Sequence, residues 1–173
     1  MRWAITGTPG TGKTTAVGQI RLDRPIIHLN ELIAGGEYRL GRDDDRNTAI
    51  ADIEGLRAWL GQQPDDLVIE SHLAHHLPVD RVVVLRCDPT ELRRRLTDRH
   101  EGSTRAAKIE ENVESERLDL ILAEAVETHD VDAVYEIDTT GKPPEHVARA
   151  IEDAVHGRRP PAVGTVSFLE DEP

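Results

Sequence analysis

Apolar runs along this chain alternate with segments in which apolar residues recur at helical spacing, a pattern typical of a parallel α/β sheet. The continuously apolar run Val82-Val83-Val84-Leu85 indicates a central strand that is covered on both faces. The predicted strands are Trp3–Thr6, Pro25–His28, Leu67–Glu70, Arg81–Arg86 and Val134–Ile137. The predicted helices are Lys13–Arg21, Thr48–Gln62, Thr90–Arg99, a long one near Thr104–His129, and Pro143–His156.

Three segments do not fit this alternation. Residues 35–47 are polar and glycine-rich, which predicts a mobile loop or a small flap. Residues 100–108 interrupt two helical stretches at Gly102-Ser103 and predict a second cover. Residues 157–173 contain prolines and end acidic, so we expect a tail that is disordered or packs as an extra edge element. The sequence thus predicts one domain over residues 1–156, followed by a tail.

A phosphate-binding loop begins at residue 7 with the run Gly7-Thr8-Pro9-Gly10-Thr11-Gly12-Lys13-Thr14. The loop follows a predicted strand and opens a predicted helix, which is the context that this motif requires. Backbone N–H groups of the glycines and of the helix N-terminus form a cradle for anionic oxygens. We expect Lys13 to reach the β- and γ-phosphates of ATP and the Thr14 hydroxyl to ligate Mg²⁺. The alternative is a tight glycine turn before an ordinary helix.

Composition excludes several classes of protein. The net charge of −12 argues against direct DNA binding, and five aromatic residues leave little for base stacking. Cys87 is the only cysteine, so the chain has no intrachain disulfide and no cysteine zinc cluster. No run approaches the ~20 apolar residues that span a bilayer, and nothing near the N-terminus resembles a signal peptide. The sequence therefore predicts a cytoplasmic protein that does not bind membranes.

Lysine is scarce among the basic residues. Of 21 basic residues only Lys13, Lys108 and Lys142 are lysine, and the rest are arginine. An acidic, lysine-poor surface favours a halophilic protein, because high salt screens the self-repulsion of its charges. The alternative is a GC-rich genome that favours arginine codons.

A second group of candidate residues follows the strand Leu67–Glu70, in the run Glu70-Ser71-His72. A carboxylate at the carboxyl end of an apolar strand is where a protein with this loop places its second magnesium-side acid. Glu70 would hold Mg²⁺ through water or orient the attacking group. The alternative is a strand-end acid that faces solvent.

Three histidines lie close together in this part of the chain, at His72, His75 and His76. On a helix they would share neighbouring faces at metal-ligand spacing, which keeps zinc as an alternative. We favour His72 as a contact to phosphate or water, with His75 and His76 as packing and surface groups.

Arginine side chains can neutralise the charge that spreads over a phosphoryl group during transfer. Arg99, Arg105 and Lys108 border the second predicted cover, and Arg93-Arg94-Arg95 lies on the preceding helix. Most of these are expected to be solvated helix residues. Arg99 is the first candidate, because it lies at the junction of helix and cover.

Four parts of the chain together resemble the adenylate kinase isoenzyme six type, also called the coilin-interacting nuclear ATPase family, with an archaeal character. The matching stretches are residues 7–15, His28-Leu29-Asn30-Glu31-Leu32, Glu70-Ser71-His72, and Arg99 with Lys108-Ile109-Glu110-Glu111-Asn112 and Glu116. The resemblance covers roughly residues 1–155. It implies a P-loop NTPase three-layer α/β fold with a five-stranded parallel sheet, a nucleoside-monophosphate region near residues 30–51 and a lid near residues 98–108.

The resemblance also implies ligands and roles. The implied reaction is ATP + AMP ⇌ 2 ADP with Mg²⁺, together with ATPase activity. The implied ATP contacts are Gly10, Gly12, Lys13, Thr14, Thr15 and Arg99. The implied catalytic residues are Lys13, Glu70, His72 and Arg99, with Thr14 and Glu70 on the metal side. Glu70 stands where the family has Asp in its Asp-x-His pair, and the Gly-Phe-Pro-Arg stretch with which ordinary adenylate kinases grip AMP is absent.

Two rival functions remain open at this stage. The first is an ATP-hydrolysing assembly factor for small ribosomal subunit maturation with a ribosomal protein as partner, a role that the family implies. The acidic surface would suit a basic ribosomal protein. The second is a small-metabolite kinase of similar size, such as one for shikimate or gluconate.

Overall fold

The computed structural model describes residues 1–43, 48–98 and 104–169. Its strands, numbered in chain order, are β1 (Arg2–Thr6), β2 (Ile26–His28), β3 (Arg39–Asp43), β4 (Thr48–Ala51), β5 (Leu67–Glu70), β6 (Arg81–Arg86) and β7 (Val134–Asp138). Its helices are α1 (Lys13–Val17), α2 (Leu29–Ala34), α3 (Ile53–Leu60), α4 (Pro89–Asp98), α5 (Thr104–Arg117), α6 (Leu120–Thr128) and α7 (Pro144–Val155).

A five-stranded parallel sheet forms the centre of the molecule, in the order β2-β5-β1-β6-β7. Each of its strands was predicted from the sequence, with ends within one residue of those observed. Helices α2, α3 and α6 cover one face, and α1 and α7 cover the other. The predicted α/β fold with a five-stranded parallel sheet flanked by helices is therefore confirmed.

Alternation along the central strands divides the core between the two faces. Val82 and Val84 of β6 belong to the same buried cluster as Leu122 of α6, whereas Val83 and Leu85 belong to the cluster on the opposite face. Successive strand residues point to opposite faces of a sheet. A strand that is buried on both sides must therefore be continuously apolar, as this run is.

The register of the sheet aligns the carboxyl ends of three strands at one edge. Glu70 at the end of β5 is paired with Ile5 of β1 and with His28 of β2. The loop that leads into α1 leaves β1 at this same edge. In open parallel sheets ligands bind outside the carboxyl ends of the strands, and this edge therefore carries the candidate site.

The prediction of one helix over residues 48–62 was wrong in its first part. Thr48–Ala51 is strand β4, which pairs antiparallel with β3 as a two-stranded sheet. The helix begins only after Asp52, whose carboxylate accepts a hydrogen bond from the Gly55 N–H at 2.9 Å. Such an N-cap satisfies a backbone donor that the first helical turn leaves unpaired. Residues 44–47 of the predicted flap lie outside the described residues.

The predicted long helix near residues 104–129 is divided into α5 and α6. The break lies at Asp119, whose φ of 55° places it in the left-handed region. The Asp119 carboxylate accepts a hydrogen bond from the buried guanidinium of Arg86. Two smaller differences are that α1 ends at Val17 instead of Arg21 and that α2 was not predicted.

The chain beyond α7 lies along the edge of the sheet at β7. Ala162 bridges Tyr135 in parallel, with the Glu136 N–H donating to the Ala162 carbonyl at 2.9 Å. The Thr165 hydroxyl and N–H then donate to the Glu136 carboxylate. Among the helices in the described ranges, none combines the length and apolar character that crossing a bilayer requires.

Candidate active site

The loop between β1 and α1 depends on three glycines with positive φ. Gly7, Gly10 and Gly12 have φ values of 135°, 99° and 95°, which L-residues with a side chain rarely adopt. A Cβ added at Gly10 would also lie 2.8 Å from side-chain atoms of both Leu92 and Leu96 on α4. The local backbone and its packing therefore both require glycine, and the loop curls around the N-terminus of α1.

Lys13, the first residue of α1, lies over this loop. Its side chain is buried, and its ammonium donates to the carbonyl oxygens of Gly7 at 2.6 Å and Thr8 at 3.0 Å. These contacts hold a positive charge at the mouth of the loop. An anion bound by the loop amides would therefore meet an ammonium group as well.

Glu70 lies between the loop and β2. Its Oε1 accepts a hydrogen bond from the Thr14 hydroxyl at 3.2 Å, and its Oε2 lies 2.9 Å from Nδ1 of His28. Glu70 is 2% exposed, whereas Thr14 is exposed. A hydroxyl and a carboxylate in contact are hard oxygen donors of the kind that Mg²⁺ prefers. Thr14 and Glu70 therefore fit a magnesium site.

His72 is neutral at physiological pH. Burial lowers its pKa to about 4, and the positive charge of Lys13 contributes in the same direction. Lys108 of α5 also lowers the pKa of His72. Positive charges from both the loop and α5 therefore act on this imidazole. A neutral imidazole offers one donor and one acceptor to a ligand or a water molecule.

The residues proposed for phosphate and metal binding line one small cavity of about 130 Å³. Its lining comprises Pro9, Gly10, Gly12, Lys13, Thr14, Thr15, Asn30, Glu70 and His72. Of the residues to which the family resemblance assigns ATP contacts, catalysis or the metal, all except Arg99 are in this group. Arg99 lies outside the described residues, as do residues 100–103 of the predicted lid.

A larger cavity of about 560 Å³ continues from the other side of the loop and shares Gly10, Gly12 and Thr15 with the first. It is also lined by Glu91, Arg94 and Arg95 of α4 and by the segment from Gly141 to Pro144. Its volume is within the range of small-molecule sites. A ligand with an anionic end in the small cavity could therefore place its remainder here.

Sequence reasoning missed Arg95, which it grouped with solvated helix residues. The Arg95 guanidinium donates to the Thr139 carbonyl at 2.9 Å and contacts the Thr11 carbonyl at 3.4 Å. Glu91, one turn earlier on α4, accepts two hydrogen bonds from the same group. A signal was present in the sequence: Arg95 lies next to the buried Leu96 and three residues after the buried Leu92, near the inward side of α4.

The three histidines do not converge on one metal. His75 and His76 form a 3₁₀ turn beyond His72, and their ligand atoms lie within 4.8 Å of those of Glu124. Both ring nitrogens of His75 have partners, at 2.9 Å from the Thr6 hydroxyl and 3.0 Å from Glu124. Hydrogen bonding therefore accounts for the orientation of His75.

A buried network of ion pairs contacts the phosphate-binding loop. Arg86 of β6 donates to Glu116 at 2.9 Å and to Glu136 at 2.6 Å. Burial opposes the charge of Arg86, but Glu116 and Asp119 outweigh that cost, so its pKa is raised. Glu116 also accepts a hydrogen bond from the Thr8 hydroxyl of the loop. The network therefore connects the phosphate loop to the C-terminal part of α5.

Comparison with known proteins shows the family to which the chain belongs. Residues 4–119 match the family model described as an AAA domain. A protein of Natronomonas pharaonis is 52% identical over 98% of this chain and 99% of its own length. A protein of Halobacterium salinarum is 47% identical over 98% and 99%, and one of Methanothermobacter thermautotrophicus is 42% identical over 95% of each chain. All three bear the name "Putative adenylate kinase". The chain belongs to this archaeal family.

Two solved structures have a fold similar to that of this chain. Shikimate kinase from Bacteroides thetaiotaomicron superposes with a TM-score of 0.62 at 17% identity, covering 90% of this chain and 98% of its own. An uncharacterized protein from Eubacterium ventriosum superposes with a TM-score of 0.56 at 14% identity, covering 91% and 99%. At such low identity these likenesses show the fold alone.

Proposed function

We propose that this protein transfers the γ-phosphoryl group of ATP to AMP, with Mg²⁺ as cofactor, and so produces two molecules of ADP. The observation that carries the proposal is the meeting of Lys13, Thr14, Glu70 and His72 around one cavity against the glycine loop. The archaeal relatives named "Putative adenylate kinase" support the choice of reaction.

ATP would bind with its phosphates in the small cavity and its nucleoside in the larger one. Loop amides and the N-terminus of α1 would hold the phosphate oxygens, and the Lys13 ammonium would exchange its loop carbonyls for them. Arg95, which lines the larger cavity, would contact the nucleoside part of ATP. We propose that AMP enters from the opposite side, through the region of residues 30–51, where Asn30 lines the small cavity.

Catalysis then needs positioning and electrostatics without a covalent protein intermediate. Bound Mg²⁺ would neutralise charge on the phosphate oxygens, and Thr14 and Glu70 are the residues that would hold it. Neutral His72 would hydrogen-bond a phosphate oxygen or a water molecule. We assign to Arg99, in the lid that the family resemblance implies, the task of covering the transferring group.

The test of this proposal is ADP formation from Mg·ATP, measured with and without AMP. We expect strong AMP dependence, and a loss of roughly 10²–10³-fold in turnover for Lys13→Met, the size of effect seen when one oxyanion donor is removed. Arg149→Met, which removes an exposed charge on α7, is the matched control and should keep wild-type turnover. Near-wild-type activity of Lys13→Met would refute the role of Lys13.

A second candidate is an ATP-hydrolysing assembly factor for the small ribosomal subunit, and His72 is the observation that favours it. A neutral imidazole in the phosphate cavity is suited to hold a hydrolytic water. The same assay separates the two functions: ADP formation that ignores AMP and rises only with a small-subunit ribosomal protein would select the assembly role. Activity with a sugar acid such as shikimate or gluconate, and none with AMP, would overturn both.

A further inference from the structure

His28 lies at the carboxyl end of β2, directly beside the carboxylate of the metal side. The register of the sheet pairs His28 with Glu70, so the two residues end neighbouring strands side by side. The His28 side chain is 33% exposed, whereas that of Glu70 is 2% exposed. The sheet thus places a partly exposed imidazole against a buried carboxylate at the edge where the phosphate loop leaves β1.

The Glu70 carboxylate is held at both of its oxygens. Oε2 lies 2.9 Å from Nδ1 of His28, and Oε1 accepts the hydrogen bond from Thr14 at 3.2 Å. An ionised carboxylate can only accept hydrogen bonds, so His28 must carry a proton on Nδ1 to make this contact. This leaves Oε1 on the side of the loop, and His28 holds the opposite oxygen.

A glutamate needs such a restraint more than an aspartate does. Its side chain has one more rotatable bond, and a carboxylate that must present one oxygen to an ion loses free energy when it rotates. Hydrogen bonds that orient the carboxylates around a metal ion support both its affinity and its placement.

We propose that His28 is a positioning residue that fixes Glu70 for the divalent-cation side of the nucleotide site. His28 acts through Glu70, which is the group that faces the cation. The proposal rests on the proposed function, since it assumes a divalent ion bound with ATP between Thr14 and Glu70.

The experiment compares His28→Ala with His28→Asn, whose side-chain amide retains an N–H donor near the position of Nδ1. Mn²⁺ binding in the presence of ATP, followed by electron paramagnetic resonance, gives a readout that does not depend on turnover. We expect His28→Ala to weaken Mn²⁺ binding roughly tenfold, as loss of a group that orients a metal ligand does. His28→Asn should bind Mn²⁺ close to the wild-type level. ATP binding measured in EDTA should be the same in all proteins.

Kinetics provides the second readout. The Mg²⁺ concentration for half-maximal turnover should rise in His28→Ala and return in His28→Asn. His156→Ala, at the exposed end of α7, is the control and should match the wild type. If His28→Ala does not fold, His28→Leu, which fills similar volume without a donor, replaces it.

Wild-type Mn²⁺ binding in His28→Ala, or an equal defect in His28→Asn, would overturn the role of His28. Failure of the proposed function itself would look different. In that case the wild-type protein would either fail to bind ATP and Mn²⁺ together or form ADP without needing AMP, whatever residue stood at position 28.

Discussion

At the scale of single residues, a buried neutral histidine near the active site gives the fold a pH dependence. His75 is 1% exposed, and burial lowers its pKa to about 4, with His76 and His129 acting in the same direction against Glu124. In the unfolded chain its pKa is about 6.5. At pH values between about 4 and 6.5, the unfolded chain binds a proton at His75 that the folded protein does not bind. Stability is therefore present above pH 6.5 and is lost as the pH falls toward 4.

This linkage predicts that the free energy of unfolding falls by about 2 kcal/mol between pH 7 and pH 5 through His75 alone. Urea unfolding at both pH values measures the change. His75→Gln keeps amide hydrogen-bonding groups but does not titrate, so its stability should fall by that much less over the same interval. The other titrating groups, His72 included, are common to both proteins. An identical pH dependence in the two proteins would contradict the account.

At the scale of elements, α4 connects the phosphate loop to the larger cavity. Leu92 and Leu96 pack against Gly10, and Arg95 between them contacts the carbonyls of Thr11 and Thr139. The helix therefore holds the loop on one side and lines the proposed nucleoside site on the other. Movement of α4 would alter both at once.

We predict that Arg95→Ala raises the KM for ATP roughly tenfold or more and lowers kcat less, because Arg95 lines the cavity proposed for the nucleoside and a hydrogen bond from a charged group contributes about 1.5–3 kcal/mol. Steady-state kinetics with ATP varied at saturating AMP measures both constants. Arg93→Ala, on the exposed side of the same helix, loses only a surface ion pair with Glu110 and is the control. Equal effects in the two variants would refute a specific role for Arg95.

The success of sequence reasoning differed between elements for physical reasons. The central strands were predictable because burial on both faces forces a continuous apolar run, as in residues 82–85. The β3–β4 hairpin was missed because its pairing is an interaction between segments, and Thr48-Ala49-Ile50-Ala51 is compatible with a helix when considered alone. The break at Asp119 was missed because it depends on Arg86, a residue on a distant strand.

The candidate site shows the same distinction. Lys13, Thr14 and Glu70 could be proposed from a local motif and a strand end, and the fold brings them to one cavity. The inward side of α4 gave a signal for Arg95, but the contacts of Arg95 and His28 arise from the packing of α4 on the loop and from the register of β2 against β5. Tertiary contacts of this kind leave little trace in local sequence.

At the scale of the whole molecule, the most prominent feature is the net charge of −12. Self-repulsion of like charges destabilises a compact state and weakens as salt shortens the screening length. The relatives from Natronomonas pharaonis and Halobacterium salinarum come from halophilic archaea. We therefore propose that this protein, too, is adapted to high salt.

This proposal predicts that the free energy of unfolding rises with KCl from dilute buffer to molar concentrations. Thermal unfolding followed by circular dichroism across a KCl series measures it, and KCl is chosen because it acts mainly by screening, whereas sulfate also strengthens hydrophobic burial. A variant in which exposed acidic residues far from the site, such as Glu127 and Asp132, are replaced by Asn or Gln should need less salt. Full stability in dilute buffer, unchanged by KCl, would count against halophilic adaptation.

The nucleotide site itself is tested most directly by isothermal titration calorimetry of Mg·ATP, performed from low to high KCl on protein shown to be folded. The account predicts saturable uptake of one Mg·ATP per chain, strongly weakened in Lys13→Met and retained in Arg149→Met. If folded wild-type protein takes up no Mg·ATP at any ionic strength, the glycine loop does not hold a triphosphate and the proposed phosphoryl transfer is contradicted.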